Sequence, residues 1–368
     1  MNTSAANRSV GGSVAITRLY DVAYAIDLAG VGADLGVEPT RLRLARARQR
    51  SVAYSEPPVD LDLGVTAVRF GDREVEVRSA ARLFDFGAIR LSYTLDVGDE
   101  ALDAFAALVD EFEALFHSEE PWAGQLDELV RVLRPVLSKP SSSGIEIDHT
   151  FVSVRGFAPS LGSEEILETV DLVPLITGEQ EALSRKARAE VMERALTYYT
   201  DDLVVIGATR SFIVEPDAEP DVADVLGMAH AQLLELRYYD QLLAKELITL
   251  HDRIGRTRRG IGPMARRRYA SLARALYALH AEIASVSERI DNALVVTDDV
   301  YLARVYESAL QQHRVPSWRA GVHRSLELIR DAYTALNDEA TSARAEYLEI
   351  AIVLLILIDI VLVLAGKM

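Results

Sequence analysis

The chain has 368 residues, with 39 Lys and Arg against 56 Asp and Glu, a formal net charge of −17, 49% hydrophobic residues and no cysteine. That length accommodates two domains or one domain with an extended appendage, and the absence of thiols excludes disulfides, thiolate metal sites and cysteine nucleophiles. The acidity argues against nucleic acid or anionic lipid over the whole surface, so direct nucleic-acid binding is not expected outside a local basic patch.

Residues 1–13, "MNTSAANRSVGGS", are small and polar and read as a disordered N-terminus rather than a secretory signal, which places the body of the protein in the cytoplasm. Residues 14–218 read as an α+β domain. Short apolar runs rich in β-branched residues ("SVAITRLYDVAYAIDL", "GVTAVRF", "EVEVRSAARLFDFGAIRLSYTL") predict strands up to residue 97, with a short helix near Arg41–Arg50. Helices are predicted over 99–116 and 123–137, followed by a Ser/Pro/Gly loop at 138–144. "IEIDHTFVSVRGFA" alternates as a strand, "SEEILETVDLVPLI" reads as a helix, and after a helix at 178–198, "LVVIG" and "SFIVE" form a hairpin.

From residue 219 to 349 the pattern is helical, with apolar residues at alternating steps of four and three. The frames run through Val222, Leu226, Ala229, Leu233 and Leu236, then Tyr269 to Ile290, then Val322, Leu326, Ile329 and Tyr333. The break "RIGRTRRGIGP" at 253–263 predicts a hairpin, and the last frame predicts a stalk. Residues 350–365 are apolar apart from Asp359, which predicts a single C-terminal transmembrane helix acting as a tail anchor, with Asp359 facing a partner helix inside the bilayer. The expected fold class is therefore α+β: an N-terminal mixed α/β domain, a long helical hairpin and a helical stalk ending in one membrane span.

The densest polar set is Tyr198, Tyr199, Asp201 and Asp202, followed by Glu235, Arg237, Tyr238, Tyr239 and Asp240, with His230 nearby. Carboxylates beside a histidine suit Mg²⁺ or general acid–base work, but His230 and Glu235 are five apart and project in different directions from a helix. The structural alternative makes Asp201 a helix-to-strand junction and Arg237 and Asp240 register-setting polar groups. No catalytic residue, metal site or cofactor is expected, because phosphate loops, dinucleotide glycines and nucleophile elbows are all missing. The basic patch Arg253, Arg256, Arg258, Arg259, Arg266, Arg267 and Arg268 could meet anionic headgroups or RNA, or pair with the acidic segment 91–130, which carries eleven carboxylates and no Lys or Arg.

"YYTDDLVVI" (198–206), "QLLELRYYDQLL" (232–243) and "LEIAIVLLILIDIVLVL" (348–364) resemble the required-for-meiotic-nuclear-division family, and "RLFDFGAIRLSY" (82–93) resembles its Phe/Tyr-Gly strand. The resemblance covers roughly 80–365. It implies a membrane-associated homo-oligomer, and for the mitochondrial member a link to translation, while giving no catalytic residue. The combined expectation is a non-catalytic, tail-anchored scaffold in a bacterial inner membrane, with lipid and a second copy as partners. The alternatives are a ligand-binding protein or enzyme with a site near Asp201/Asp202 and Glu235/Arg237, and a ribosome-associated tether implied by the resemblance.

Overall fold

The computed structural model describes residues 8–31, 40–41, 57–70, 73–140, 142–179, 181–217, 219–257 and 299–365, and between 258 and 298 only positions 271, 274, 277, 278 and 281. The chain divides into two units, Met1–Tyr238 with Arg289–Trp318, and Tyr239–Glu288 with Arg319–Met368.

The first unit is built on a mixed nine-stranded sheet. In chain order its strands and those of a small second sheet are β1 (Ser9–Asp21), β2 (Ala23–Ile26), β3 (Thr40–Arg41), β4 (Val59–Phe70), β5 (Arg73–Leu83), β6 (Ala88–Ala101), β7 (Leu137–Pro140), β8 (Glu146–Ala158), β9 (Ala195–Leu196), β10 (Leu203–Ile206) and β11 (Arg210–Val214). The main order is β3-β4-β5-β6-β1-β8-β11-β10-β9, and β2 pairs with β7 separately. Every pairing is antiparallel except β8 with β11. The turn joining β5 to β6 depends on Gly87, whose φ of +94° lies where a Cβ is disfavoured and whose Cβ would meet the Ala23 carbonyl at 1.7 Å.

Period-two alternation gives this sheet two different faces. Ile89, Leu91, Tyr93 and Leu95 of β6, with Val14 and Ile16 of β1 and Val152 and Val154 of β8, enter the larger core. Two helices cover them, α1 (Leu102–Leu115) and α2 (Glu120–Leu133). Helix α1 presents Phe105, Val109 and Phe112 at the i, i+4, i+7 spacing of one buried stripe. Phe116, Trp122 and Tyr93 complete an aromatic cluster there, with ring centroids 4.3–5.9 Å apart. Short helices α3 (Ser163–Thr169), α4 (Val173–Thr177) and α5 (Arg185–Met192) follow β8, so the segment predicted as one helix at 163–176 is two.

On the opposite face lie the first turns of α6 (Asp221–Thr257) and α7 (Val300–Gln312). Val222, Val225, Leu226 and Ala229 of α6 and Tyr301, Leu302, Val305 and Ala309 of α7 pack with Phe151, Val204, Ile206 and Ile213 of the sheet. The heptad frames do not include α7. Its Asp299 N-cap accepts from the Tyr301 and Leu302 N–H groups, and its apolar stripe is broader than a coiled-coil seam.

The second unit is helical among the described residues. Leu243 is buried there, as are Val322, Leu326 and Ile329 of α8 (Val315–Ala365), at the predicted steps of four and three. Among the described residues no helix is long and apolar enough to cross a membrane. The expected C-terminal transmembrane helix, the tail-anchored scaffold and the membrane localisation are corrected accordingly. Residues 350–365 are the last part of the 51-residue α8, and this window of 16 is shorter than the roughly 20 apolar residues a span requires. Glu349 bounds it, and Asp359 interrupts it as an exposed residue. Of the predicted basic hairpin, Arg253 and Arg256 fall on α6, while Arg258, Arg259, Arg266, Arg267 and Arg268 lie outside the described residues. The predicted helix at 41–50 also lies outside them beyond Arg41, which is in β3.

Candidate functional site

Three histidines distant in sequence converge between the sheet and the helices on its second face. His149 is on β8, His230 is three turns into α6, and His313 follows the last turn of α7 as its C-cap residue. One potential ligand atom from each lies within 4.8 Å of the other two. The Nε2 atoms of His230 and His313 are 2.9 Å apart, and the His149 and His230 rings have centroids 4.2 Å apart.

The local fold explains the convergence. Cross-strand partners share a sheet face, and Thr17 of β1 is opposite both Ser92 of β6 and His149 of β8, which puts His149 on the face beneath α6. His149 Nε2 is 2.8 Å from the Ser211 Oγ of β11, and its Nδ1 is buried with no hydrogen-bond partner among the described residues. Thr17 Oγ1 donates to the His149 carbonyl at 2.8 Å and fixes the backbone at that point. The Phe151 ring borders the His149 and His230 rings at 4.9 and 6.0 Å and closes one side.

Burial keeps all three imidazoles neutral. It holds His149 well below the ordinary histidine range, with His313 adding to the effect. His230 is likewise held well below, first by burial and then by His149, His313 and Arg90. His313 is lowered to about 4 by burial, then by Arg237 and Arg194. Neutral imidazole is the metal-ligating form. Tetrahedral zinc with Zn–N bonds of about 2.0–2.1 Å sets ligand nitrogens roughly 3.3 Å apart, so a small opening of the His230–His313 pair would admit an ion. Three protein ligands would leave one position for water or an exogenous group.

The polar set singled out in the sequence is divided. Tyr198, Tyr199, Asp201 and Asp202 line a crevice of about 760 Å³ with Glu215, Asp217 and Asp299. Asp202 is 1% exposed there, and its Oδ1 accepts from the Tyr198 and Tyr199 backbone N–H groups at 2.7 and 3.0 Å, a turn-stabilising role. Glu235, Arg237, Tyr238, Tyr239 and Asp240 are on α6 and are not among the residues lining that crevice. Arg237 stacks over Trp318 at 5.5 Å. The sequence singles out His230 alone of the three histidines, because no two of them share a local motif. The available signal was a histidine within the apolar frame of α6, which becomes specific only when two other histidines are placed beside it.

Residues 11–221 match the family described as "Uncharacterized protein MJ0711, N-terminal domain". The uncharacterized protein MJ0711 of Methanocaldococcus jannaschii is 27% identical over 195 residues, covering 53% of this chain and 59% of the relative. The chain thus spans less than two thirds of that relative's length. No solved structure matches the chain. The matched segment runs from the third residue of β1 through β11, includes His149 and ends at the first residue of α6, so His230 and His313 lie beyond it.

Proposed function

This chain belongs to the MJ0711 N-terminal domain family, and from that premise and the site geometry we propose that its first unit binds one divalent transition-metal ion of the zinc class. The convergence of His149, His230 and His313 carries this reading. The donor set is all imidazole, which suits zinc, copper, iron or nickel and not the hard oxygen-seeking ions Mg²⁺ and Ca²⁺. Ser211 supplies the outer-shell hydrogen bond that commonly orients a ligating histidine. The buried, unpartnered Nδ1 of His149 is the kind of atom a metal would satisfy.

The test is metal retention. Chelator-stripped full-length protein, incubated with Zn²⁺ and dialysed at neutral pH, is expected to keep about one ion per chain. Co²⁺ in its place should give the visible absorption of a low-symmetry nitrogen site. His230→Gln and His313→Gln should each reduce retention about tenfold or more. Negligible retention by the wild-type chain, or equal retention by both variants, would sink the reading.

A second reading concerns α8. Ile352, Leu354, Leu355, Leu357 and Ile360, with the apolar residues between them, are 46–65% exposed around the whole circumference of the helix. Apolar surface of this extent, exposed among the described residues, favours association. We read it as supporting a homo-oligomer, because copies of the same segment can cover every side of one another.

A further inference from the structure

The second sheet face holds an unusual lining beside the histidines. A sheet face roofed by a helix is ordinarily apolar, since unsatisfied buried hydroxyls are costly. Here a pocket of about 340 Å³ under the first turns of α6 is lined by the side chains of Ser13, Thr17, Ser92, Thr94 and Ser153, with Arg90 at one end. The hydroxyls come from three adjacent strands, β6, β1 and β8, at the alternate positions that face α6.

Among the described residues, Arg90 is an under-satisfied cation in this lining. Its side chain is 12% exposed, and its Nε and Nη1 are buried with no hydrogen-bond partner. The nearby acids are engaged by Arg82: Asp60 takes Arg82 Nε and Nη2 at 2.6 and 2.8 Å, and Asp224 takes Arg82 Nη1 at 2.5 Å. Arg90 is left with one loose ion pair, Nη2 to Asp224 Oδ1 at 3.9 Å. A guanidinium carries five N–H donors in a fork suited to an oxyanion. Burial, and then the neighbouring Arg82, lower Arg90 to about 10, which is the mark of a cation short of counter-charge. The roofing helix makes room for it: a Cβ on Gly227 would lie 1.8 Å from Arg90 Nη1, and glycine inside a helix is less favourable than alanine.

We propose that this pocket binds a small molecule through an oxyanion, carboxylate or phosphate, with Arg90 as the anchoring cation and the strand hydroxyls as its hydrogen-bond partners. The volume fits a ligand at the small end of metabolite sites. Asp96, Arg155, Glu215 and Glu219 also line the pocket, so charges of both signs stand around the rest of the ligand. The pocket and the histidine cluster share Phe151 as a wall. The inference goes beyond the metal reading and does not depend on it.

Titration calorimetry of the full-length chain with acetate, glycine and inorganic phosphate tests it, run on zinc-loaded and chelator-stripped protein. Saturable, millimolar or tighter binding of at least one probe is expected in both preparations. Acetate or glycine binding identifies a carboxylate site, a preference for glycine adds the cationic far end, and phosphate binding identifies a phosphate site. Arg90→Gln should weaken binding about tenfold or more. Thr94→Val, which keeps the shape of the side chain, should weaken it several-fold and decides the matter if Arg90→Gln does not fold. No saturable binding of any probe would overturn the proposal. Binding lost on zinc removal, or unchanged in both variants, would overturn it as well, the first by placing the anion on the metal.

Discussion

Buried charges of unequal standing mark this molecule. Asp21, at the end of β1, has a buried Oδ2 without a hydrogen-bond partner, and desolvation raises its carboxyl to about 6, with Ser143 partly opposing the rise. The folded pKa is above the unfolded one of about 3.9, so the native state binds the proton more tightly. Stability is therefore greatest at low pH as far as this group is concerned, falls as pH rises from about 4 to 6, and is level above that. Asp21→Asn should stabilise the protein by roughly 1–2 kcal/mol at pH 7.5, with the gain shrinking toward pH 4. Urea denaturation at several pH values measures this, and a gain independent of pH would refute the assignment. At this scale the sequence was partly legible: Asp202 was visible as part of a dense polar set, yet only its contacts to Tyr198 N and Tyr199 N show a turn-stabilising role.

Elements are joined here by arginines on strands reaching carboxylates elsewhere. Arg210 of β11 is 5% exposed at its side chain, donates to Asp110 Oδ1 at 2.7 Å and pairs with Glu113, both on α1. Arg18 of β1 does the same toward Glu119 and Asp148, each at 2.5 Å. The sequence offers the acidic segment 91–130 to the basic patch Arg253–Arg268, whereas the described arginines that pair with Asp110, Glu113 and Glu119 are Arg210 and Arg18. Removing Arg210 takes the cation from two carboxylates, each about a third exposed. Arg210→Met is expected to cost about 2–3 kcal/mol, below the range for fully buried pairs because of that exposure. A loss under about 0.5 kcal/mol in chemical denaturation would show that α1 is held by its Phe105–Phe112 stripe alone.

At the scale of the whole molecule, the exposed apolar end of α8 is where the homo-oligomer proposal is tested. If copies cover one another there, light scattering behind size exclusion should report a mass above the 40.5 kDa of one chain. Leu354 and Leu357 are 56% and 60% exposed, and the double change Leu354→Lys, Leu357→Lys should return the protein to a monomer with an unaltered thermal transition for the first unit. A monomeric wild-type chain would remove the homo-oligomer reading. The expected membrane span rests on apolarity, and the length of the apolar window does not support it. Uniform apolarity is shared by a bilayer span and an interior bundle segment, and a 16-residue window with Asp359 inside it falls short of the former.

The sequence by itself determined what local patterning can encode. Period-two runs became β1, β5, β6 and β8, the paired apolar runs became β10 and β11, and the steps of four and three became α6 and α8. These signals are read within a few residues, so they survive without knowledge of the fold. Tertiary structure alone decided the site. His149 and His230 lie on different kinds of element, and His313 is 83 residues beyond His230, so only the stacking of α6 and α7 on one sheet face brings them together. The same holds for Arg90, one of 35 arginines in the chain, which is set apart only by a register that turns it under Gly227 while Arg82 takes the available acids. Long-range pairing fixes which chemistry meets, and a linear pattern carries no term for that distance.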